Sequence, residues 1–274
     1  MATLSDWKAE ILGNSAGILK FIDVGIQDPT EIRSVIKTEF LLHDWKDSSI
    51  DEKMRWLLEE EYKTYLKQSS NAGPVFLSNA ESFTSVHPGK FPLLESLFPI
   101  QGVTSNVWTA LSILESSLAQ GRRTRAGGSL EFHLEFLLKE SGFLLGTEFE
   151  TQVEVGGQNK VRLDFLFPAD PGLLNVNPNV VVTCACMTTV NDRVRLAIQQ
   201  LQPNTFRRVP TAHGAVQFDG QMKNLKGRLD YATTNGFRFV VLPEVISQFN
   251  NHATLMSYQE WFNELDSLRI HWRG

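Results

Sequence analysis

The sequence lacks long apolar runs: nothing in its 274 residues approaches the roughly 18 consecutive apolar positions that a membrane-spanning helix needs. It also lacks a basic segment followed by an apolar run near residue 1, so it predicts no secretory leader. We therefore expect a cytoplasmic protein. The remaining composition is that of a globular chain long enough to bury a substantial core.

Cysteine is scarce, and this excludes a disulfide framework. The two cysteines, Cys184 and Cys186, stand one residue apart on the same face of a predicted strand. A CxC pair without a second cluster of cysteine or histidine is also a poor zinc motif. We expect both thiols to be structural. His43, His133 and His213 likewise have no partners at ligand spacing and are interpreted as structural.

An excess of positive charge is also missing, since the net charge is −5. The charge is unevenly distributed, however: residues 1–120 carry 10 basic and 16 acidic side chains, whereas residues 121–210 carry 10 and 9. Eight of the ten basic residues in that middle segment are arginine, which suits bidentate contacts with phosphate and guanine. The overall acidity therefore does not exclude DNA as a partner.

The first 105 residues predict a helical region followed by a connector. Apolar residues recur at three- and four-residue spacing up to residue 70, and acidic first turns follow Asp28-Pro29 and Ser49-Ile50. Residues 71–105 contain Gly73-Pro74, Pro88-Gly89, Pro92 and Pro99, so they are expected to be rich in loops. We place the domain boundary here, with residues 1–105 as a helical region and residues 106–274 as a second domain.

Residues 107–141 predict two helices joined by a basic turn. The first is Val107 to Ala119, and the second is Ser129 to Ser141, with Glu131 and Glu135 on one face. The intervening glycine-containing segment holds Arg122, Arg123 and Arg125. An arginine-rich turn that leads into a helix N-terminus can contact phosphate, whereas the alternative is a solvated basic loop.

The rest of the chain predicts an α/β core. Residues 149–155 and 161–167 alternate around Gly156-Gly157 as a hairpin, and residues 180–187 and 237–243 form buried strands. A helix beginning at Asp192-Arg193 and a terminal helix from Tyr258 complete the pattern. Many nucleases place a metal-binding acid on one strand and an acid plus a lysine on the next. Asp164 fits the first position.

The order of four segments resembles one nuclease family. The segments RRTRAGGSLEFHLEFLLKESGF, LDFLFP, CMTTVNDRVR and FVVLPEVI are similar to the catalytic domain of the EcoRII-type restriction endonucleases, PD-(D/E)XK enzymes that include readers of CCGG and CCNGG sites. The likeness covers about Val107 to Leu268. It implies a restriction-endonuclease-like α/β fold, with a central mixed sheet flanked by helices, and Mg²⁺-dependent hydrolysis of double-stranded DNA.

The resemblance also assigns residues to roles. Asp164 is the metal-binding acid, although Leu163 replaces the motif's proline, and Glu131 is the upstream acid, with Glu135 as its substitute. The family's lysine falls on Met187 and its helix glutamate on Gln200, both neutral here. Lys160 lies on the face of Asp164 but about 13 Å away along an extended strand, too far to replace the lysine. We expect very slow cleavage or none.

DNA recognition is better preserved than hydrolysis in this resemblance. The acid–arginine pair that reads cytosine N4 and guanine O6 and N7 in the family falls on Asp192 and Arg193, with Arg195 expected at the phosphates. A short palindromic G·C-rich site then implies a two-fold homodimer. Two alternatives stay open: a nuclease-derived binder with an inactive centre, and an interaction scaffold that has lost DNA binding.

Overall fold

The computed structural model describes residues 2–13, 16–98, 106–155, 161–187, 211–216 and 225–272. Contacts within the chain divide it into two compact units. The first unit contains residues 1–38 and 59–125, and the second contains residues 39–58 and 126–274. The candidate site lies entirely in the second unit.

The second unit is built on a mixed six-stranded sheet with its strands in chain order. Those strands are β1 (Glu150–Val155), β2 (Val161–Phe167), β3 (Val182–Met187), β4 (Thr211–Val216), β5 (Phe237–Val241) and β6 (Leu255–Ser257). The first three strands pair in antiparallel fashion, and β3 to β6 pair in parallel. The predicted hairpin and mixed sheet are confirmed.

Helices accompany the sheet and make up most of the first unit. They are α1 (Leu4–Leu12), α2 (Pro29–Leu42), α3 (Ile50–Val86), α4 (Pro92–Glu95), α5 (Val107–Glu140), α6 (Leu173–Val176), α7 (Leu225–Thr234), α8 (Pro243–Gln248) and α9 (Tyr258–Trp272). Parallel strands need crossover connections, and α7 and α8 provide those that lead from β4 to β5 and from β5 to β6. Within the described residues, none of these helices combines the length and apolar character needed to span a membrane.

The prediction that residues 71–105 are rich in loops is wrong over residues 71–86. These residues belong to helix α3, which continues through Gly73 and Pro74 to Val86. A proline inside a helix removes one backbone hydrogen bond and costs about 3 kcal/mol relative to alanine. The turns around it are nevertheless anchored by Ala72, Phe76 and Ala80, which are fully buried. Tertiary packing therefore outweighs the local preference of the proline.

Helix α5 corrects the prediction of two helices joined by a basic turn. Its backbone is one continuous helix from Val107 to Glu140, so Arg122, Arg123 and Arg125 lie in helical backbone rather than in a turn. Each of the three internal glycines costs about 1 kcal/mol relative to alanine, but no proline interrupts the helix. Burial at both ends, by Ile113 and Leu114 and by Leu130 and Leu134, stabilises the whole length.

Each unit has its own apolar core. In the first unit, Trp7 and Ile11 of α1 belong to the same buried cluster as Phe76 and Ile113. In the second unit, one cluster joins Met187 of β3 to Phe237 and Phe239 of β5. Phe149, Phe165 and Phe167 form a further ladder of rings, and Phe167 meets the ring of Trp261 edge-on at 5.8 Å. The sheet is therefore fixed by burial beside the candidate site.

Candidate active site

The site begins where β2 and β3 separate. The backbone pairing between these strands runs from Phe167 and Val182 to Phe165 and Cys184, and it ends there, one residue before Asp164. At that point the backbone N–H of Cys186 donates to the Asp164 carboxylate, with 2.6 Å between N and Oδ2. The side chain of Asp164 thus replaces a strand carbonyl as acceptor and is held at the opening between the strands.

Helix α5 brings a second carboxylate to the same place. The side-chain amide of Gln152 donates to Glu131, with Nε2 2.6 Å from Oε2, and also approaches Asp164, with Nε2 3.4 Å from Oδ1. One amide group therefore bridges the two acids that the sequence assigned to metal binding. Glu135 instead forms an ion pair with Lys139 at 2.5 Å. The two predicted acids, Glu131 and Asp164, are the ones that the fold brings together.

Gln152 is a site residue that sequence reasoning missed. It lies on β1 between the ladder pairs Thr151–Phe165 and Val153–Leu163, opposite Asp164. Its backbone φ of 55° is in the left-handed region, which is uncommon for a residue other than glycine. The hairpin was predicted, and its symmetry about residue 158 places 152 across from 164. That register was the available signal.

The electrostatic environment makes the Asp164 carboxyl easier to protonate than an exposed aspartate. Burial is the main cause and raises the pKa of this carboxyl above its ordinary value. The Cys186 N–H, the Gln152 amide and the positive charge of Arg162 each lower the pKa and offset part of the rise. Asp164 therefore sits in a partly desolvated position where a bound cation would stabilise the ionised form.

Cys186 lies beside these acids, but its thiol is unreactive. Burial raises the pKa of its thiol well above the ordinary value, a hydrogen bond with Cys184 adds to the rise, and the charges of Asp164 and Glu131 increase it further. The thiol is therefore protonated at neutral pH and is a poor nucleophile and a poor metal ligand. Neither Cys184 nor Cys186 forms a disulfide.

Met187, which the resemblance predicts at the lysine position, ends β3 inside the apolar core. Its side chain is 3% exposed and packs in the same cluster as Leu166, Phe239 and Val241. It supplies no charge and no hydrogen-bond donor to the carboxylates. The cation nearest in sequence to Asp164 is Arg162, an exposed residue two positions earlier on β2, and its charge lowers the pKa of Asp164.

Several predicted residues fall outside the structural description. Gln200, Asp192, Arg193 and Arg195 lie outside the described residues, as does Lys160. For Arg122, Arg123 and Arg125 the helical backbone is described but the side chains are not. The expectations for these residues remain predictions.

The histidines form no ligand cluster among the described residues, where no group of three His, Cys, Asp or Glu side chains is arranged to hold a metal. His133 is buried on α5. His43 is exposed, and its ring stacks on Trp45 with 5.5 Å between centroids. The side chain of His213, on β4, lies outside the described residues. Among the residues that the structure describes, Glu131 and Asp164 remain the two predicted metal-binding acids that come together.

This fold is shared along most of its length with two solved restriction endonucleases. A structure titled as a complex of the restriction endonuclease PspGI with substrate DNA matches with a TM-score of 0.61 and 17% identity, covering 89% of this chain and 93% of that one. A structure titled as metal-depleted Ecl18kI with uncleaved, modified DNA matches with a TM-score of 0.51 and 17% identity, covering 90% and 86%. The restriction-endonuclease-like fold is therefore confirmed.

A family model matches part of the sequence. Residues 100–225 match the family model described as the C-terminal domain of EcoRII. This match includes Glu131, Gln152 and Asp164, and it confirms the resemblance to EcoRII-type restriction endonucleases. No curated protein sequence matches the chain at a significant level.

Proposed function

We propose that this protein is an EcoRII-type, sequence-specific DNA-binding nuclease whose hydrolytic centre is impaired in the sequence as it stands. The observation that carries the proposal is the convergence of Glu131 and Asp164 at the opening between β2 and β3. That pair lies within the segment that matches the EcoRII C-terminal family. We assign the nuclease domain to residues 106–274 and a helical region to residues 1–105.

The two carboxylates fit a magnesium site. Mg²⁺ in phosphoryl-transfer sites is commonly held by one or two carboxylates and completes its shell with waters and phosphate oxygens. Glu131 and Asp164 would hold it, since both reach the same amide group from different elements. When bound, the ion would polarise the scissile phosphate and lower the pKa of a coordinated water. Asp164, partly desolvated and fixed by the Cys186 N–H, positions one ligand oxygen.

The impairment follows from two neutral residues, Met187 and Gln200, at the positions that the resemblance gives to charged groups. A lysine near the developing charge contributes to hydrolysis in this class, and here the position holds the buried, neutral Met187. Gln200 stands at the sequence position of the helix glutamate, so the second charged group of the motif is also replaced by a neutral side chain. We infer that DNA is bound and released with very slow cleavage or none.

Recognition is assigned to the segment after β3. We propose that Asp192 accepts from cytosine N4, that Arg193 donates to guanine O6 and N7, and that Arg195 contacts phosphate. Arg122, Arg123 and Arg125 would contact the backbone from helix α5. The solved structures with this fold are titled as DNA complexes, which supports duplex DNA as the partner. A palindromic G·C-rich site and a homodimer complete the proposal.

A paired assay tests this function. Duplexes selected from a random pool are offered with Mg²⁺ to the natural chain and to the double variant Met187→Lys/Gln200→Glu. We expect specific binding by both and cleavage only by the variant. Because Met187 is buried, circular dichroism must show that the variant is folded, and Met187→Leu/Gln200→Glu is the matched control without the ammonium group.

Each result decides between the alternatives. Rapid cleavage by the natural chain would refute the impairment. Tight and specific binding without cleavage by either protein would indicate a DNA-binding protein that has lost catalytic activity. The absence of any salt-dependent affinity for DNA would favour an interaction scaffold and reject the nucleic-acid function.

A further inference from the structure

We propose that Gln152 is a third oxygen ligand of the cation site, a role it takes up when its terminal amide rotates so that Oε1 replaces Nε2 between Glu131 and Asp164. This inference rests on the proposed magnesium site and adds a residue from a third element, β1, to the two acids. Three observations carry it: the position of the amide, the two distances it makes, and the backbone conformation that holds it.

The position of the amide is explained by charge. Without a cation, two carboxylates face the same point, so only the N–H groups of Gln152 can be turned toward them. A divalent cation at that point reverses the preference, because the amide hydrogens would then face a positive charge. Rotation about the terminal Cγ–Cδ bond exchanges N and O within the same volume, and this torsion is soft.

The distances match the edges of a coordination shell. Nε2 lies 2.6 Å from the Glu131 oxygen and 3.4 Å from the Asp164 oxygen. Neighbouring ligands in an octahedral Mg²⁺ shell, with bonds of about 2.1 Å, are separated by about 3.0 Å. After rotation, Oε1 would stand at spacings on either side of that value. The amide is thus close enough to both acids for its oxygen to share one coordination shell with theirs.

The backbone of Gln152 is held in a conformation that serves this placement. A positive φ at a residue other than glycine persists only where the surroundings impose it, and such residues concentrate at functional sites. Here the conformation occurs opposite Asp164, between two regular ladder pairs. Among the described residues, no third acidic, histidine or cysteine ligand joins the two carboxylates, so the Gln152 amide oxygen would be the third protein ligand.

Metal binding to the full chain without DNA tests the proposal. Mn²⁺, which favours the same oxygen ligands, is titrated by calorimetry and by the loss of its free-ion electron paramagnetic resonance signal. Gln152→Met keeps the length of the side chain and removes the amide, and it should weaken Mn²⁺ binding by about tenfold. The matched control is Gln248→Met, an exposed position near the end of α8, where affinity should not change.

Asp164→Asn separates failure of this inference from failure of the metal site. If the natural chain binds no Mn²⁺, or if its binding is insensitive to Asp164→Asn, the proposed metal site itself is wrong, and the role of Gln152 falls with it. If binding depends on Asp164 but is unchanged in Gln152→Met, only the ligand role is overturned. Tighter binding in Gln152→Met would also overturn it, because the amide would then obstruct the cation.

A charged variant provides a second readout that does not depend on activity. Gln152→Glu places a third carboxylate beside Glu131 and Asp164, so its melting temperature in chelator should fall below that of the natural chain and should recover when Mn²⁺ is added. An equal response to Mn²⁺ in Gln152→Glu and in the natural chain would contradict a ligand position at residue 152.

Discussion

Glu148 is an almost fully buried carboxylate that forms an ion pair with Arg269. The guanidinium donates to both carboxylate oxygens, from Nε at 3.1 Å and from Nη2 at 2.9 Å. It also donates to the Gly142 carbonyl and lies over the ring of Phe143. The hydrogen bonds with Glu148 and Asp266 raise the pKa of Arg269 above its ordinary value, so the guanidinium stays charged.

Removal of the guanidinium alone should therefore be severe. We expect Arg269→Met to lower the free energy of unfolding by about 3–5 kcal/mol, because the buried Glu148 carboxylate loses the guanidinium that donates to both of its oxygens. Urea denaturation measures the change. Arg269→Met combined with Glu148→Gln should recover a large part of the loss, and a double variant no more stable than Arg269→Met would show that the packing of the arginine, rather than its charge, is what matters.

Asp51 links the start of α3 to the start of α9. Its carboxylate accepts from the backbone N–H of Tyr258 at 2.8 Å and of Gln259 at 3.4 Å. Burial raises the pKa of Asp51 above its ordinary value, and these two N–H groups offset part of the rise. A group with a raised folded pKa contributes stability that is fully present below its unfolded pKa and is lost as the pH rises through its folded pKa.

The pH dependence of Asp51→Asn should show this loss. Asparagine caps a helix as well as aspartate does, but it does not titrate. The free energy of unfolding of the variant, minus that of the natural chain, should therefore increase as the pH rises from about 4, the unfolded value for aspartate, through the higher folded pKa. Urea unfolding at several pH values gives this difference. Asp51→Ser should follow the same trend, and curves parallel to that of the natural chain in both variants would contradict the assignment.

At the level of single residues, the acids of the site could be predicted and their bridge could not. Asp164 ends a recognisable motif, and Glu131 stands in a helix with a family pattern. Gln152 belongs to no motif. Its place between the acids depends on the register of the β1–β2 ladder and on a left-handed backbone conformation, which is usually predicted only at glycine. The position of the Cys186 thiol beside the acids could not be predicted either, because it depends on where strands β2 and β3 separate.

At the scale of elements, α3 contains a testable conflict between local preference and packing. Pro74 is exposed in the helix interior, where it offers no backbone N–H and contributes nothing to the buried face that Ala72 and Phe76 form. We expect Pro74→Ala to raise the free energy of unfolding by about 1–3 kcal/mol, the helix gain being reduced by the greater freedom of the unfolded chain. Thermal unfolding followed by circular dichroism measures it.

Pro29 provides the matched control for this prediction. It is the first residue of α2, where a proline loses no helical hydrogen bond and its ring already has the helical φ. Pro29→Ala should therefore leave stability unchanged or lower it slightly. A similar gain in both variants would mean that the gain does not depend on the interior position of Pro74, and would reject the account of α3.

The elements that sequence reasoning missed share a physical cause. Strand β4 contains Ala212, Gly214 and Ala215, too little apolar surface to show alternation, and its place is set by parallel pairing with β3 and β5. Strand β6 has three residues, too few for any period. The long helices were divided at Gly73-Pro74 and at the glycines of 121–128, because local preferences were weighed without the packing that overrides them.

At the scale of the whole molecule, the proposed binding to a polyanion must be reconciled with a net charge of −5. The local excess of arginine in residues 121–210 resolves this, because affinity depends on the cations that replace counterions at the phosphates rather than on the net charge. The proposal therefore requires a steep fall of affinity with salt concentration, although the chain is acidic overall.

Two alanine variants distinguish base reading from phosphate contact in this protein. Arg193→Ala should cost about 1–3 kcal/mol on the selected site and little on random duplex, whereas Arg123→Ala should weaken both and reduce the slope of log K against log salt by about 1. Fluorescence anisotropy over a range of salt concentrations measures both quantities. Equal losses on both duplexes would reassign Arg193 to the backbone.

Sedimentation of the complex on a palindromic site should give two chains per duplex, since a two-fold site presents the same half-site twice.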